Sequence, residues 1–336
     1  MNFLIDIIKP EIKNILGLSI LIRLLLKDIG KFWKTKVWFI DGSVVDIFAV
    51  CGLLASLKKK HHILISEDYK STICRYNLNT IYNVIYINSL TLAKYRKYYY
   101  WLKARTGNTG ILKFFQNTHC INDKTLYFFI KNNKLGYRES LAQYLGMPMS
   151  AMYKHPQYSN TDYELIQNLF DSKINELNKI ALIGPIAYTH GSFKSEIWEG
   201  VSDALKRLGF KCILNTAKKS GDYSQNMHTH IKNVNLPVDL VPLASSLVGL
   251  CIGGTGGGFD LMHQFSDHSK TILMHCNTCF KNGMQDYPLE MLDDLYLNDC
   301  GRKPSLIISI TGKENTNEIS KFVYNKISEF LNKYQI

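Results

Sequence analysis

The chain is 336 residues long, 46% hydrophobic and 20% charged. That balance excludes a disordered chain and a multispanning membrane protein, and suits two domains of roughly 150 to 170 residues. A formal net charge of +12 and a pI near 9.1 point to an acidic partner: nucleic acid, anionic lipid or a nucleotide-linked substrate.

Residues 1–34 read as an N-terminal amphipathic helical segment. Their longest uncharged stretch, 14–22, is far short of the roughly 20 apolar residues a spanning helix needs, and no small-residue cleavage site of a signal peptide follows. At a helical period Lys13, Arg23, Lys27 and Lys31 gather on one side, opposite Leu18, Leu25 and Ile29. Such a helix can lie in an anionic membrane interface, with Phe32 and Trp33 at its end. Packing on the body of the protein or on a second subunit is the alternative.

A strand is predicted over 36–41, a helix over 47–57, and further strands over 63–66 and 84–87. This β-α-β-α-β alternation with short connections calls for a parallel, doubly wound sheet. Ligands meet such sheets at the carboxyl ends of the strands, so Asp41, Ser43 and Asp46 stand where a reacting group is handled. Asp46 falls at a helix start, where the dipole and free N–H groups favour its ionised form; a plain N-cap is its other reading.

Over 92–115, tyrosines 95, 98, 99 and 100 and Trp101 are interleaved with Lys94, Arg96, Lys97, Lys103 and Arg105. That pattern can stack bases or sugars, or sit at a lipid interface. No RNA- or DNA-binding motif accompanies it, so nucleic acid is not the expected partner. A strand over 126–130 and a helix over 136–146 closed by Gly146 follow, and the domain boundary falls between 146 and 179.

The second half restarts the theme. It has a strand over 180–183, a polar loop carrying Tyr188, His190, Ser192 and Lys194, a helix over 195–208 ending at Gly209, and a strand over 210–214. Residues 246–251 then lead into Leu250–Leu261, where a short apolar strand meets Gly253, Gly254, Thr255, Gly256, Gly257, Gly258, Phe259 and Asp260. Strands over 271–275 and 306–310 and a helix over 315–334 complete the chain. Glycines at such a turn allow positive φ and close backbone approach, leaving N–H groups for the oxygens of an anion. The turn fits neither the dinucleotide nor the P-loop fingerprint, having no Lys after the last glycine. It could instead serve only tight helix–strand packing.

The eight cysteines sit mostly in apolar runs, the usage of a reducing compartment. Cys276 and Cys279, with His263, His268 and His275, lack a second ligand pair at finger spacing, so no metal site is expected.

Taken together, the order of elements resembles the ADP-heptose:lipopolysaccharide heptosyltransferases and related surface-polysaccharide glycosyltransferases. These are enzymes of GT-B fold, in which two Rossmann-like doubly wound parallel-sheet α/β domains face each other across a cleft. The likeness runs over most of residues 36–310. It is carried by the 46–59 run beginning Asp46-Ile47-Phe48, the 76–88 phrase ending the third strand, the strand and loop 180–185, and the helix with Trp198 ending at Gly209. The apolar helix 240–248 before the glycine turn carries it too. Where the family has an Asp-Ser/Thr-Gly donor motif followed by a His, this chain has Gly254-Thr255-Gly256, with Asp260 as the nearest acid; Val45 replaces a Gly before the catalytic Asp. A loop ending Gly-Phe-Asp is similar to surface-polysaccharide enzymes whose donor loop ends Gly-x-x-Asp.

The resemblance implies an acceptor domain at 35–150, a linker at 151–178, a donor nucleotide-sugar domain at 179–313 and a C-terminal helix at 314–336. It implies Asp46 as the general base, with Asp41 and Ser43 on the acceptor side. Lys194, His190, Gly254 to Gly258 and Asp260 would hold the donor. The implied reaction moves a sugar from a nucleotide-sugar to a lipopolysaccharide, capsule or other surface-glycan acceptor at the cytoplasmic membrane face, with inversion, no metal and no cofactor beyond the donor. An isomerase or epimerase of the same fold and a non-catalytic, membrane-associated binding protein are the alternatives.

Overall fold

The computed structural model describes residues 37–41, 44–57, 62–90, 92, 112–116, 142, 153–185, 193, 195–216, 231–254, 257–266, 270–276, 304–310 and 314–333. The chain divides into two compact units, Met1–Gln157 and Tyr158–Ile336. The basic N-terminal segment and the expected strand and helix over 126–146 lie outside the described residues, Ala142 apart.

In the first unit β1 (Val37–Asp41) leads to α1 (Val44–Leu54), β2 (His62–Ser66), the short helices α2 (Lys70–Arg75) and α3 (Leu78–Ile81), β3 (Asn83–Ile87) and β4 (Leu112–Gln116). The strands pair in the order β3-β2-β1-β4. Every pair is parallel, with Val37 opposite both His62 and Leu112. The basic and aromatic stretch thus ends in a strand that its sequence did not announce.

Asp46 apart, helix α1 is apolar on all sides, and every residue from Val45 to Leu54 is buried, as a helix without a polar face must be. Its C-terminal carbonyls need partners once out of water. The Tyr82 hydroxyl donates to the Leu54 carbonyl at 2.6 Å, and burial pushes that hydroxyl's pKa well above the tyrosine range. Near the C-terminal end of α1, Gly52 has no Cβ, and the ring of Tyr153 occupies the space one would take. The segment 153–157 is bound to this unit by main-chain bonds from Lys154 N to the Gly52 carbonyl (3.1 Å) and from Gln157 N to the Arg75 carbonyl (2.8 Å). Asn77 Nδ2 adds a bond to Gln157 Oε1 at 2.8 Å.

The second unit opens with α4 (Asn160–Phe170), inside the stretch read from sequence as a linker. The amide and hydroxyl of Ser159 both donate to the Asp162 carboxylate, each at 2.7 Å, which starts the helix as a capping carboxylate does. Its far end is held by Lys211, whose Nζ donates to the carbonyls of Phe170 (2.9 Å) and Asp171 (2.7 Å), a cation placed on the negative end of the helix.

Then come β5 (Ile180–Gly184), α5 (Ser195–Arg207), β6 (Lys211–Asn215), β7 (Lys232–Val234), α6 (Val241–Leu247), β8 (Leu250–Gly254), α7 (Gly257–Phe265), β9 (Lys270–Cys276), β10 (Leu306–Ile310) and α8 (Thr316–Lys333). The sheet runs β10-β9-β8-β5-β6-β7, parallel throughout. Strands β5 and β8 are buried along their whole length and read as continuous apolar runs, as central strands covered on both faces do.

Helix α5 ends in a left-handed Gly209, φ +86°, the usual glycine stop. One core cluster joins Trp198, Val201 and Leu205 of α5 to Ile319, Val323 and Ile327 of α8. The C-terminal helix therefore packs within the second unit. Gly200 permits that contact, because a Cβ there would come within 2.5 Å of the Thr316 carbonyl and 2.9 Å of Ile319. Among the described residues no helix is long and apolar enough to cross a membrane.

Candidate functional site

Strand order locates the site in each sheet. In the second unit the chain goes from β5 outward to β6 and β7, then returns to lay β8, β9 and β10 on the other side of β5. The direction reverses between β5 and β8. In an open parallel sheet that switch point leaves a crevice at the carboxyl ends of the two strands, because the connections depart to opposite faces. Gly184 and Gly253 are register partners there. The loop carrying His190 and Lys194 follows β5, and the glycine turn follows β8. His190, Lys194, Thr255 and Gly256 themselves lie outside the described residues.

The glycines of this turn divide by role. At Gly253 a Cβ would approach the Gly184 carbonyl to 2.9 Å, Phe259 Cβ to 3.1 Å and Phe259 Cδ2 to 3.2 Å. This position needs glycine so that strand and helix can pack. At Gly254 the nearest atoms would be Phe193 Cε2 at 3.6 Å, Phe193 Cδ2 at 3.7 Å and Trp198 Cζ2 at 3.9 Å, ordinary contacts that a methyl group tolerates. Packing therefore does not require a glycine there.

The expected positive φ is not found at Gly253, Gly254 or Gly258; among the described glycines it occurs at Gly209. The reason is local. Gly253 and Gly254 finish an extended strand, and Gly257 and Gly258 already open α7. The helix begins at Gly257, so Gly257 and Gly258 belong to its first turn, where N–H groups lack intrahelical acceptors. Asp260 is in the same turn and is half-buried.

Under the turn, Phe193 and Trp198 meet edge to face with centroids 5.8 Å apart and planes at 72°. Met262 of α7 approaches Gly184, its Cε falling 2.5 Å from where a Cβ would stand. The sequence reading did not assign Phe193 or Met262 to this site. The available signal was their spacing from the loop and the turn, which an apolar residue in a helix-rich stretch does not advertise.

In the first unit the same reasoning picks the gap between β1 and β4, since β2 and β3 extend one way and β4 lies on the other side. Asp41, the last residue of β1, pairs with Gln116 at that edge. Asp46 follows in the first turn of α1, 3% exposed. It is the third residue of the helix and so stands inside it, one turn from the cap. Ser43 lies outside the described residues.

His263, weighed in sequence as a metal ligand, is fully buried, stacked on Phe259 at 5.8 Å, with its Nδ1 2.9 Å from Thr271 Oγ1. Among the described residues no cluster of His, Cys, Asp and Glu could hold a metal ion.

No protein-family model matches the sequence, and no curated protein matches it. Solved structures do resemble it. The ADP-heptose lps heptosyltransferase II of E. coli is 11% identical with a TM-score of 0.55, the match covering 90% of this chain and 100% of that one. A family 9 glycosyl transferase from Veillonella parvula DSM 2008 is 14% identical with a TM-score of 0.53, covering 90% of this chain and 98% of that one. Two parallel α/β sheets in this order, each with a switch-point crevice, give the chain a heptosyltransferase-like fold.

Proposed function

We propose that this protein is a glycosyltransferase of GT-B type, moving a sugar from a nucleotide-sugar donor to a saccharide or glycolipid acceptor. The observation that carries the reading is the glycine turn at the β5/β8 switch point. Packing does not require its Gly254 to be glycine, and it leads straight into the N-terminus of α7. Diphosphate oxygens are matched by such a site, through main-chain N–H groups and the positive end of the helix dipole.

In this reading the donor lies over Gly254 to Gly258, and Lys194 and His190 approach it from the loop after β5. Asp260 contacts the sugar. Amides and the Lys194 cation stabilise the charge that develops on the leaving nucleotide, so no metal takes part. On the acceptor side, with Asp41 and Ser43, Asp46 takes the proton of the acceptor hydroxyl as that oxygen attacks the anomeric carbon. A single displacement inverts the anomeric centre. The basic face of residues 1–34 holds the enzyme at the anionic cytoplasmic face of the membrane, where a lipopolysaccharide or capsule precursor is presented.

The test is incubation with labelled nucleotide-sugars, with and without a bacterial glycolipid extract. The proposal expects label in the lipid fraction only when both are present. Conversion of the donor without acceptor would identify an isomerase, and binding without conversion in either arm a non-catalytic protein.

A further inference from the structure

Helix α7 is fastened to three strands by residues at helical spacing on one of its faces. Phe259, fully buried, brings its Cβ within 3.1 Å of where a Cβ on Gly253 of β8 would stand. Met262, also buried, fills the corresponding space at Gly184 of β5. His263 reaches β9: its Nδ1 is hydrogen-bonded to Thr271 Oγ1 at 2.9 Å, and its ring lies parallel to that of Phe259, with planes 6° apart. Thr271 is itself tied to Ser305, the residue before β10. Its amide donates to Ser305 Oγ at 3.2 Å, and its Oγ1 accepts from the Ser305 amide at 3.4 Å. Phe259 and Met262 hold by apolar contact, which is non-directional. A hydrogen bond weakens steeply once its distance or angle leaves a narrow range. The His263–Thr271 bond therefore fixes the helix along its axis in a way the two apolar contacts do not.

We infer that His263 is a positioning residue for nucleotide binding, an inference that rests on the nucleotide-site reading above. Its bond to Thr271 sets where the first turn of α7 stands relative to the end of β8. That placement decides the reach of the Gly257 and Gly258 N–H groups toward a diphosphate. Hydrogen bonds to phosphate oxygens tolerate only a few tenths of an ångström, so a small slip of the helix costs affinity. His263 stands six residues beyond Gly257, about 9 Å along the helix axis, and does not touch the ligand.

The experiment titrates the full-length protein with UDP, ADP, GDP and dTDP by calorimetry, at a temperature where thermal melts show each variant folded. The variants are His263→Phe, Thr271→Val, the two combined, and Thr271→Ser. Thr271→Val also takes the acceptor from the Ser305 amide, so the two single variants and the double variant form a cycle that isolates the His263–Thr271 bond. The expected result is a roughly 3- to 10-fold weaker Kd in each single variant, the size of one neutral hydrogen bond. The double variant should be no weaker than the weaker single one, and Thr271→Ser, which keeps the hydroxyl, should bind like wild type. Should His263→Phe fail to fold, the contrast between Thr271→Val and Thr271→Ser carries the test. A Kd that stays unchanged in the folded variants while their melting temperature falls, or losses that simply add, would overturn this inference alone. A wild-type chain that binds none of the four nucleotides would overturn the nucleotide-site reading, and the inference with it.

Discussion

Gly184 and Gly253 face each other in register across β5 and β8, and the Gly184 carbonyl sits 2.9 Å from the place a Cβ on Gly253 would occupy. The neighbouring Gly254 meets nothing closer than 3.6 Å. Packing thus requires glycine at 253 but not at 254. Gly253→Ala is expected to lower stability by about 1–3 kcal/mol through overpacking against main chain, read as a lower urea midpoint. Gly254→Ala should leave that midpoint nearly unchanged while weakening nucleotide-sugar binding at least tenfold. Equal behaviour of the two variants in both assays would remove the distinction.

Asp46 stands in the first turn of a helix that is otherwise apolar. A carboxylate placed there only to complement the first turn of the helix could be replaced by Asn at a cost of about 0.3–1 kcal/mol. A general base could not. Asp46→Asn is predicted to cut transfer by at least a hundredfold with donor affinity and melting temperature nearly intact. Retained turnover would exclude it as the base.

Cys51 is fully buried in α1, and burial pushes its thiol pKa far above the ordinary value of 9.0; burial raises Cys212 as well. Cys74 is exposed. Iodoacetamide at pH 8, followed by peptide mass spectrometry, should therefore label Cys74 well before Cys51 or Cys212, which react only on unfolding. The same shift has a sign for stability. Unfolding returns the Cys51 thiol to its ordinary range, so above pH 9 the unfolded chain loses that proton first and stability falls as pH rises.

Gly52 leaves room for the Tyr153 ring, whose hydroxyl lies 3.1 Å from that of Tyr76. Gly52→Ala should displace the 153–157 segment from α1 and make the Lys154–His155 bond cleavable by trypsin. Unchanged digestion kinetics would show that the ring accommodates the methyl group.

Much of this architecture was legible in the chain itself. The runs 180–183, 271–275 and 306–310 are apolar and β-rich, and each emerged as a strand within about a residue of its expected ends. The strand Leu112–Gln116 was not legible, because Lys113 interrupts its apolar run and it follows a stretch dominated by aromatic and basic residues. Helix Asn160–Phe170 was missed because it has one narrow apolar stripe, Ile166 and Phe170, among polar residues. Its start depends on the Ser159–Asp162 cap. At the site, the glycine turn announced itself by composition. Its division of labour between Gly253 and Gly254 did not, since it depends on Gly184 and Phe193, which are distant in sequence.

The most direct test of the nucleotide-site account is a thermal-shift screen of the full chain against UDP-, GDP-, ADP-, CMP- and dTDP-linked sugars, run in parallel on Gly254→Ala. A ligand that binds the folded state raises its melting temperature by mass action. The account predicts a rise of a few degrees with at least one donor and its loss in the variant; five flat curves, or a rise that Gly254→Ala leaves untouched, would contradict it.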